Sequence, residues 1–152
     1  MKIRIELNQE LAEEEIVINC KDLNDTIKKI QESVSDIIGG SNKLSLYKED
    51  KEFYIPIDEI LFFETDDNIV NAHTTFDVLQ AKYKLYELET ILPNSFLRVS
   101  KSTILNTNHI LSIKHNLTSA SLVEFAKSHK QVYVSRYYYK FLREKLNWRE
   151  RK

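Results

Sequence analysis

The chain has 152 residues, a formal net charge of −1 and 42% hydrophobic, 11% aromatic and 30% charged residues. That composition suits one folded domain with a small appendage and excludes two large independent domains or a disordered chain. Two glycines and two prolines leave little for flexible linkers. No run of about 18 apolar residues exists to span a bilayer, and the acidic start MKIRIELNQELAEEE has no apolar signal core, so a cytoplasmic protein without membrane contact is expected.

Cys20 is the single cysteine. An internal disulfide and a multi-cysteine zinc site are thereby excluded. Beside Ile16, Val17 and Ile18 it is expected to be a small buried apolar residue.

Ile3, Ile5 and Leu7 alternate with Lys2, Arg4 and Glu6, the period of a half-buried strand, and Glu15 to Asn19 suggests a second. With Asp22 as N-cap, Leu23, Ile27, Ile30, Val34 and Ile37 fall at helical spacing before a stop at Gly39-Gly40. Residues 1–42 are thus expected to be a small strand, strand, helix extension, too small to be stable alone.

Residues 43–152 form the second expected unit. Short strands are predicted at Leu44 to Lys48, Glu52 to Ile57, Ile60 to Thr65, Asn68 to Thr74 and Phe76 to Ala81. A short helix follows from Lys84 to Leu92, ended by Pro93-Asn94. Strands resume at Phe96 to Val99, Thr103 to Leu105, Ile110 to His115, Ser121 to Phe125 and Gln131 to Val134. A helix from about Arg136 to Leu146 closes the chain. Because strands never alternate regularly with long helices, the fold class is mainly β and antiparallel, with two short helices after the α+β extension.

Charge divides along the chain. Residues 1–95 hold ten Lys and Arg against twenty Asp and Glu, a balance of −10, whereas residues 96–152 hold twelve against three, a balance of +9. A basic half of this kind fits a polyanionic partner; it also fits a solvated face that pairs with the acidic half.

Two strand ends in the basic half carry a hydroxyl and a cation, Ser100-Lys101-Ser102 and Ser135-Arg136. Arg98 and Ser100 alternate with Leu97 and Val99 and are expected to share one face. Ser100 and Ser102 could anchor a phosphate while Lys101 reaches a phosphate or a guanine edge. Taken alone, the same residues also describe a polar turn. Ser135 can cap the last helix and leave its N-terminal amides beside Arg136. Of the run Tyr137-Tyr138-Tyr139, the middle ring is expected to bury with Phe141 and Leu142, leaving Tyr137 or Tyr139 to contact phosphate.

An enzyme would need a convergent site. Ser100 or Ser102, His109 or His115 and an aspartate could be written as a triad, but no spacing supports it. The four histidines show no metal-binding pairing, so neither metal nor cofactor is expected.

Phe96-Leu97-Arg98-Val99-Ser100-Lys101-Ser102, with Leu105-Asn106 and Ile110, resembles the central signature of the LytTR DNA-binding domain. Ile57 to Glu64 resembles that family's upstream strand, Leu85 to Leu92 its helix, and Val134-Ser135-Arg136-Tyr137 its closing element. The four blocks stand in order over roughly Lys43 to Leu146. The resemblance implies an elongated, mainly β domain that inserts loop side chains into successive major grooves of double-stranded DNA and regulates transcription.

Carried over by matching position, the base-contacting residues are Lys101, Arg136 or its neighbour Tyr137, and Asn68 in the Asp66-Asp67-Asn68 turn, whose two acids repel phosphate. Backbone contacts are expected from Arg98, Ser100, Ser102, Ser135, Tyr139 and Lys140. Asn106 is expected to serve structure by bonding backbone. Residues 1–42 cannot supply a phosphoacceptor receiver domain, and the chain is similar to short stand-alone regulators of this type. A homodimer formed through the extension would let two half-sites be bound at once. The alternative is a protein-binding or small-ligand module on the same fold.

Overall fold

The computed structural model describes residues 1–39 and 43–150. The chain divides into two units, Met1–Gly40 and Ser41–Lys152. In the first, the described regular structure is one helix, α1 (Asp25–Gly39). Its cap is Asn24 rather than Asp22: the Asn24 side chain accepts the Ile27 N–H at 3.0 Å and its carbonyl accepts the Lys28 N–H at 3.0 Å. Gly40, the second residue of the expected stop, lies outside the described residues.

The two strands expected in the extension do not form. Ile3 and Leu7 are 93% and 94% exposed, and Ile16 and Val17 lie open as well. Alternation supplies an apolar face but no partner for it, and two short strands alone are at best marginal in water. The described extension is therefore helical rather than α+β. Cys20, expected to be buried in the second strand, is exposed for the same reason.

Among its described residues the second unit contains ten antiparallel strands and two helices. A seven-stranded sheet is built from β1 (Lys43–Lys48), β2 (Lys51–Pro56), β3 (Phe62–Asp66), β4 (Ile69–His73), β5 (Val78–Ala81), β6 (Phe96–Ser100) and β7 (Thr103–Asn106), in the order β2-β1-β5-β4-β3-β7-β6. A three-stranded sheet has the order β10-β9-β8, from β8 (Ile110–Lys114), β9 (Ser121–Phe125) and β10 (Gln131–Val134). Helix α2 (Leu85–Ile91) joins β5 to β6, and α3 (Arg136–Glu150) follows β10, running beyond the expected end at Leu146.

Two expected strands begin late for local reasons. Ile57–Glu59 makes a single 3-10 turn, so Ile60 and Leu61 lead into β3 rather than belong to it. Phe76 and Asp77 sit in a turn in which the Thr74 N–H donates to the Asp77 carbonyl and the Asp77 N–H to the Thr74 hydroxyl, both at 3.0 Å.

Alternation along β3 and β7 sets the core on both faces of the sheet. Phe63 and Ile104 are register partners on one face and join Leu46, Ile60, Leu79 and Leu88 of α2. Phe62 and Leu105 are partners on the other and join Val99, Val123, Phe125, Val134 and Leu142 of α3. Strands buried on both sides lose the polar alternation of a half-exposed sheet, which is why Ile60-Leu61-Phe62-Phe63 is apolar throughout.

Asn106, only 1% exposed, holds the end of β7 as expected for a structural residue. Its amide donates to the Ile60 carbonyl at 3.0 Å, and its side-chain oxygen accepts the Asn108 N–H at 3.1 Å. Replacing Asn106 with Leu leaves those backbone groups without partners, at a cost of roughly 1–3 kcal/mol for each that stays buried. We expect Asn106→Leu to lower the urea midpoint by a corresponding amount without changing the slope of the transition.

Candidate nucleic-acid interface

Three loops meet at one end of the seven-stranded sheet because neighbouring strands are antiparallel. Strand β3 runs toward this end and stops at Asp66, while β7 starts there beside it, with Glu64 opposite Thr103. The Thr65 N–H donates to the Ser102 carbonyl at 2.8 Å. The β3–β4 turn and the Ser100-Lys101-Ser102 turn are thus adjacent.

A β-bulge joins the third loop to them. Arg98 pairs with Ile104 but Ser100 pairs with Thr103, so Val99 is an extra residue in β6. The Val99 side chain is fully buried in the core that contains α3. Its carbonyl accepts the Ser135 N–H at 2.9 Å, tying the start of α3 to the Ser-Lys-Ser turn.

One extra residue also switches the face of everything after it. Arg98 lies on the Phe63 face through its partner Ile104, whereas Ser100 lies on the Phe62 face through Thr103 and Glu64. The expectation that Arg98 and Ser100 share a face is therefore corrected. Simple alternation does not survive a bulge.

Arg98 braces the turn from behind. Its Nε donates to the Ser100 carbonyl at 2.8 Å, one terminal nitrogen pairs with Glu89 of α2 at 2.7 Å, and the other donates to the Lys101 carbonyl. A guanidinium held by three internal partners is committed to structure, whatever else its remaining N–H groups meet. The Ser102 N–H donates to the Ser100 hydroxyl at 3.2 Å, and the two hydroxyls lie 3.3 Å apart.

Lys101 is exposed at the tip of this turn, and its ammonium has no partner among the described residues. Arg136 is equally exposed at the first position of α3. Ser135 caps that helix, as expected: its hydroxyl accepts the Tyr138 N–H at 3.4 Å and its carbonyl accepts the Tyr139 N–H at 3.0 Å. Two exposed cations without a partner among the described residues therefore stand on turns that the Ser135 to Val99 hydrogen bond ties together.

The aromatic run follows its sequence expectation except at Phe141. Tyr138 and Tyr139 both pack partly against the core, Tyr139 stacking on His115 at 3.9 Å, while Phe141 stays 38% exposed. Tyr137 is the open ring, 64% exposed, with the Lys140 ammonium 5.2 Å from its centre. Arg136, Lys140 and Arg143 follow one another at i, i+4 and i+7, an exposed basic stripe along α3.

Asp67 and Asn68 have φ of 48° and 66°, and Asp66 pairs with Ile69 across them. A two-residue hairpin turn with both centres left-handed selects Asn and Asp for backbone reasons alone. Asn68 is exposed at the same end as Lys101. Its residue type is explained before any ligand is invoked.

Between the sheets lies a groove of about 330 Å³ lined by Glu64, Ser100, Ser102, Gln131, Tyr133 and Ser135 among others. Gln131 and Tyr133 were missed by the sequence reading. Their signal was present: Val132 and Val134 are buried, so the intervening residues of β10 must face outward, and Tyr133 is an aromatic 64% exposed. No triad assembles here. His109 bonds the Asp58 carbonyl and His115 stacks on Tyr139, while the Ser102 hydroxyl bonds those of Ser100 and Thr103.

The LytTr DNA-binding domain model matches residues 50–147. The chain belongs to the LytTR family. A solved LytTr DNA-binding domain from Bacillus cereus superposes with a TM-score of 0.64 at 28% identity, covering 68% of this chain and 95% of that one. Proteins named as uncharacterized HTH-type transcriptional regulators are similar over nearly their whole length. One from Staphylococcus aureus strain NCTC 8325 is 30% identical over 148 residues, covering 97% of this chain and 99% of its own. Another from the bovine strain RF122 is 31% identical with the same coverage.

Membership in LytTR makes this a DNA-binding protein rather than an enzyme. Among the described residues no two helices are joined by a short turn, so no helix-turn-helix is present among them. No helix among the described residues is long and apolar enough to cross a membrane.

One half-buried base stands beside Phe62 at the end of β4. His73 stacks on Phe62 at 4.1 Å and its Nδ1 is buried without a partner. Burial, reinforced by the Lys130 charge, lowers its pKa from 6.5 to about 4. His73 is neutral at pH 7, so its 3.8 Å approach to Glu64 is no ion pair there. Because the unfolded chain takes up this proton first, the contribution is whole above pH 6.5 and is lost as pH falls toward 4. We expect His73→Phe to remove on the order of 2 kcal/mol of acid destabilisation over that window, discounted for partial solvent access. Denaturant titrations of both proteins at several pH values measure the difference.

Proposed function

We propose that this LytTR protein regulates transcription in the cytoplasm by inserting side chains from the clustered loops into the major groove of promoter DNA. The observation that carries this is the pair of unpaired cations, Lys101 and Arg136, held on one frame by the Ser135 to Val99 hydrogen bond. Lys and Arg donate to guanine O6 and N7, which makes them the base-contacting residues, with Tyr137 beside Arg136 and Asn68 as a third point. Ser100, Ser102, Ser135 and Lys140 take backbone phosphates. Tyr139, partly buried against His115, reaches phosphate only through its edge, and Arg98 acts chiefly by holding the turn.

The extension supplies self-association in this scheme, so that a homodimer engages paired half-sites. Its exposed apolar residues, Ile3, Leu7, Ile16 and Val17, favour that role over a solvated tail.

Lys101→Ala and Arg136→Ala should each weaken binding to a cognate promoter duplex by about 1–3 kcal/mol and relax sequence preference at the contacted base. Lys140→Ala should weaken all duplexes similarly and flatten the dependence of log affinity on log salt by about one ion. Fluorescence anisotropy on cognate and scrambled duplexes at several salt concentrations distinguishes the two patterns. Undiminished affinity in both Lys101→Ala and Arg136→Ala would overturn their assignment.

A further inference from the structure

The extension holds an unmet strand pattern. Residues 1–9, MKIRIELNQ, alternate apolar and polar side chains, yet in the single chain they pair with nothing and Ile3, Ile5 and Leu7 are 93%, 82% and 94% exposed. Arg4 and Glu6 lie on the opposite side of the alternation and form an exposed ion pair within the chain. The segment is also complementary to itself. Laid antiparallel against a second copy about a two-fold axis at Ile5, it sets Ile5 against Ile5, Ile3 against Leu7, Arg4 against Glu6 and Lys2 against Asn8.

We propose that residues 2–8 form an antiparallel strand with the same residues of a second copy of this chain, completing a sheet the single chain cannot make. This rests on the reading of the extension as the self-association element and names its contact. The two-fold register puts apolar side chains opposite apolar ones on one face and, on the other, opposite charges directly across, twice in each dimer. The neighbouring even-sum registers lose that match: an axis at Arg4 sets Arg4 against its own copy, and an axis at Glu6 sets Glu6 against its own copy, so like charges meet on the axis. Residues 15–19, with Ile16 and Ile18 on one side of their own alternation, add an outer strand from each copy, giving four strands in place of two. Three or more strands with an apolar face meet the threshold that the single extension misses.

Charge reversal in the full-length protein, followed by sedimentation equilibrium, tests the pairing. In Arg4→Glu an acid opposes each Glu6, and in Glu6→Arg a cation opposes each Arg4, so each variant alone should dimerise at least tenfold more weakly than the parent. An equimolar mixture of the two variants restores opposite charges at both positions and should form a heterodimer of near-parental affinity. With Cys20→Ser as background, Ile5→Cys should cross-link to itself on oxidation far faster than Ile3→Cys, because only position 5 lies on the axis.

A dimer whose affinity neither charge reversal changes would overturn the pairing and leave self-association standing. A monomeric parent chain, both free and on DNA, would overturn the self-association reading with it. Weak dimers in both single variants with no recovery on mixing would overturn the register. DNA binding by each variant through Lys101 and Arg136 is a separate readout, so failure of the dimer contact is distinguishable from failure of the DNA-binding loops.

Discussion

The interface depends on one hydrogen bond, from the Ser135 N–H to the Val99 carbonyl at 2.9 Å. Strand β6 lies at the edge of its sheet, so its outward backbone groups are open to a partner, and the start of α3 takes one of them. The acceptor is the bulged residue, Val99, whose side chain lies in the core below. Two turns distant in sequence, Ser100 to Ser102 and Ser135 to Arg136, then share one rigid base.

Rigidity at that base comes from burial on both faces of the central strands. Phe62 and Phe63 anchor separate cores through adjacent residues, so a slip of β3 by one position would turn each ring out of the core that fits it. Asn106 secures the far end of β7 by bonding backbone on two sides, and Arg98 secures the near end by gathering the carbonyls of Ser100 and Lys101 against Glu89. A side chain meant to meet a base edge must be held within a fraction of an ångström, and sites on braced elements meet that demand better than free loops.

Most strands of the second unit were legible because short runs of β-branched and aromatic residues alternate with turn chemistry at Glu49-Asp50, Asp66-Asp67-Asn68 and Pro93-Asn94. The four family blocks placed the loops. What sequence could not display was the bulge, since FLRVS is as good a plain strand as a bulged one, and the face of Ser100 followed from that single residue. Sequence left Tyr137 and Tyr139 as alternatives for the open ring, and the choice fell to Tyr137 because His115, 24 positions before Tyr139, offers Tyr139 a surface to stack upon. The extension failed in the opposite way: its alternation was plain, but alternation reports a face and not the presence of a partner.

The central claim is that DNA meets one end of the seven-stranded sheet, the end that bears the three loops. Amide chemical shifts of the full-length protein, followed as a promoter duplex is added, test it directly. The account requires perturbations concentrated at residues 66–69, 100–102, 131–137 and 140, with the Glu49-Asp50 and Thr74 to Asp77 turns at the opposite end unaffected. Perturbations centred on those opposite turns, or on the exposed side of α2 around Tyr86, would contradict it.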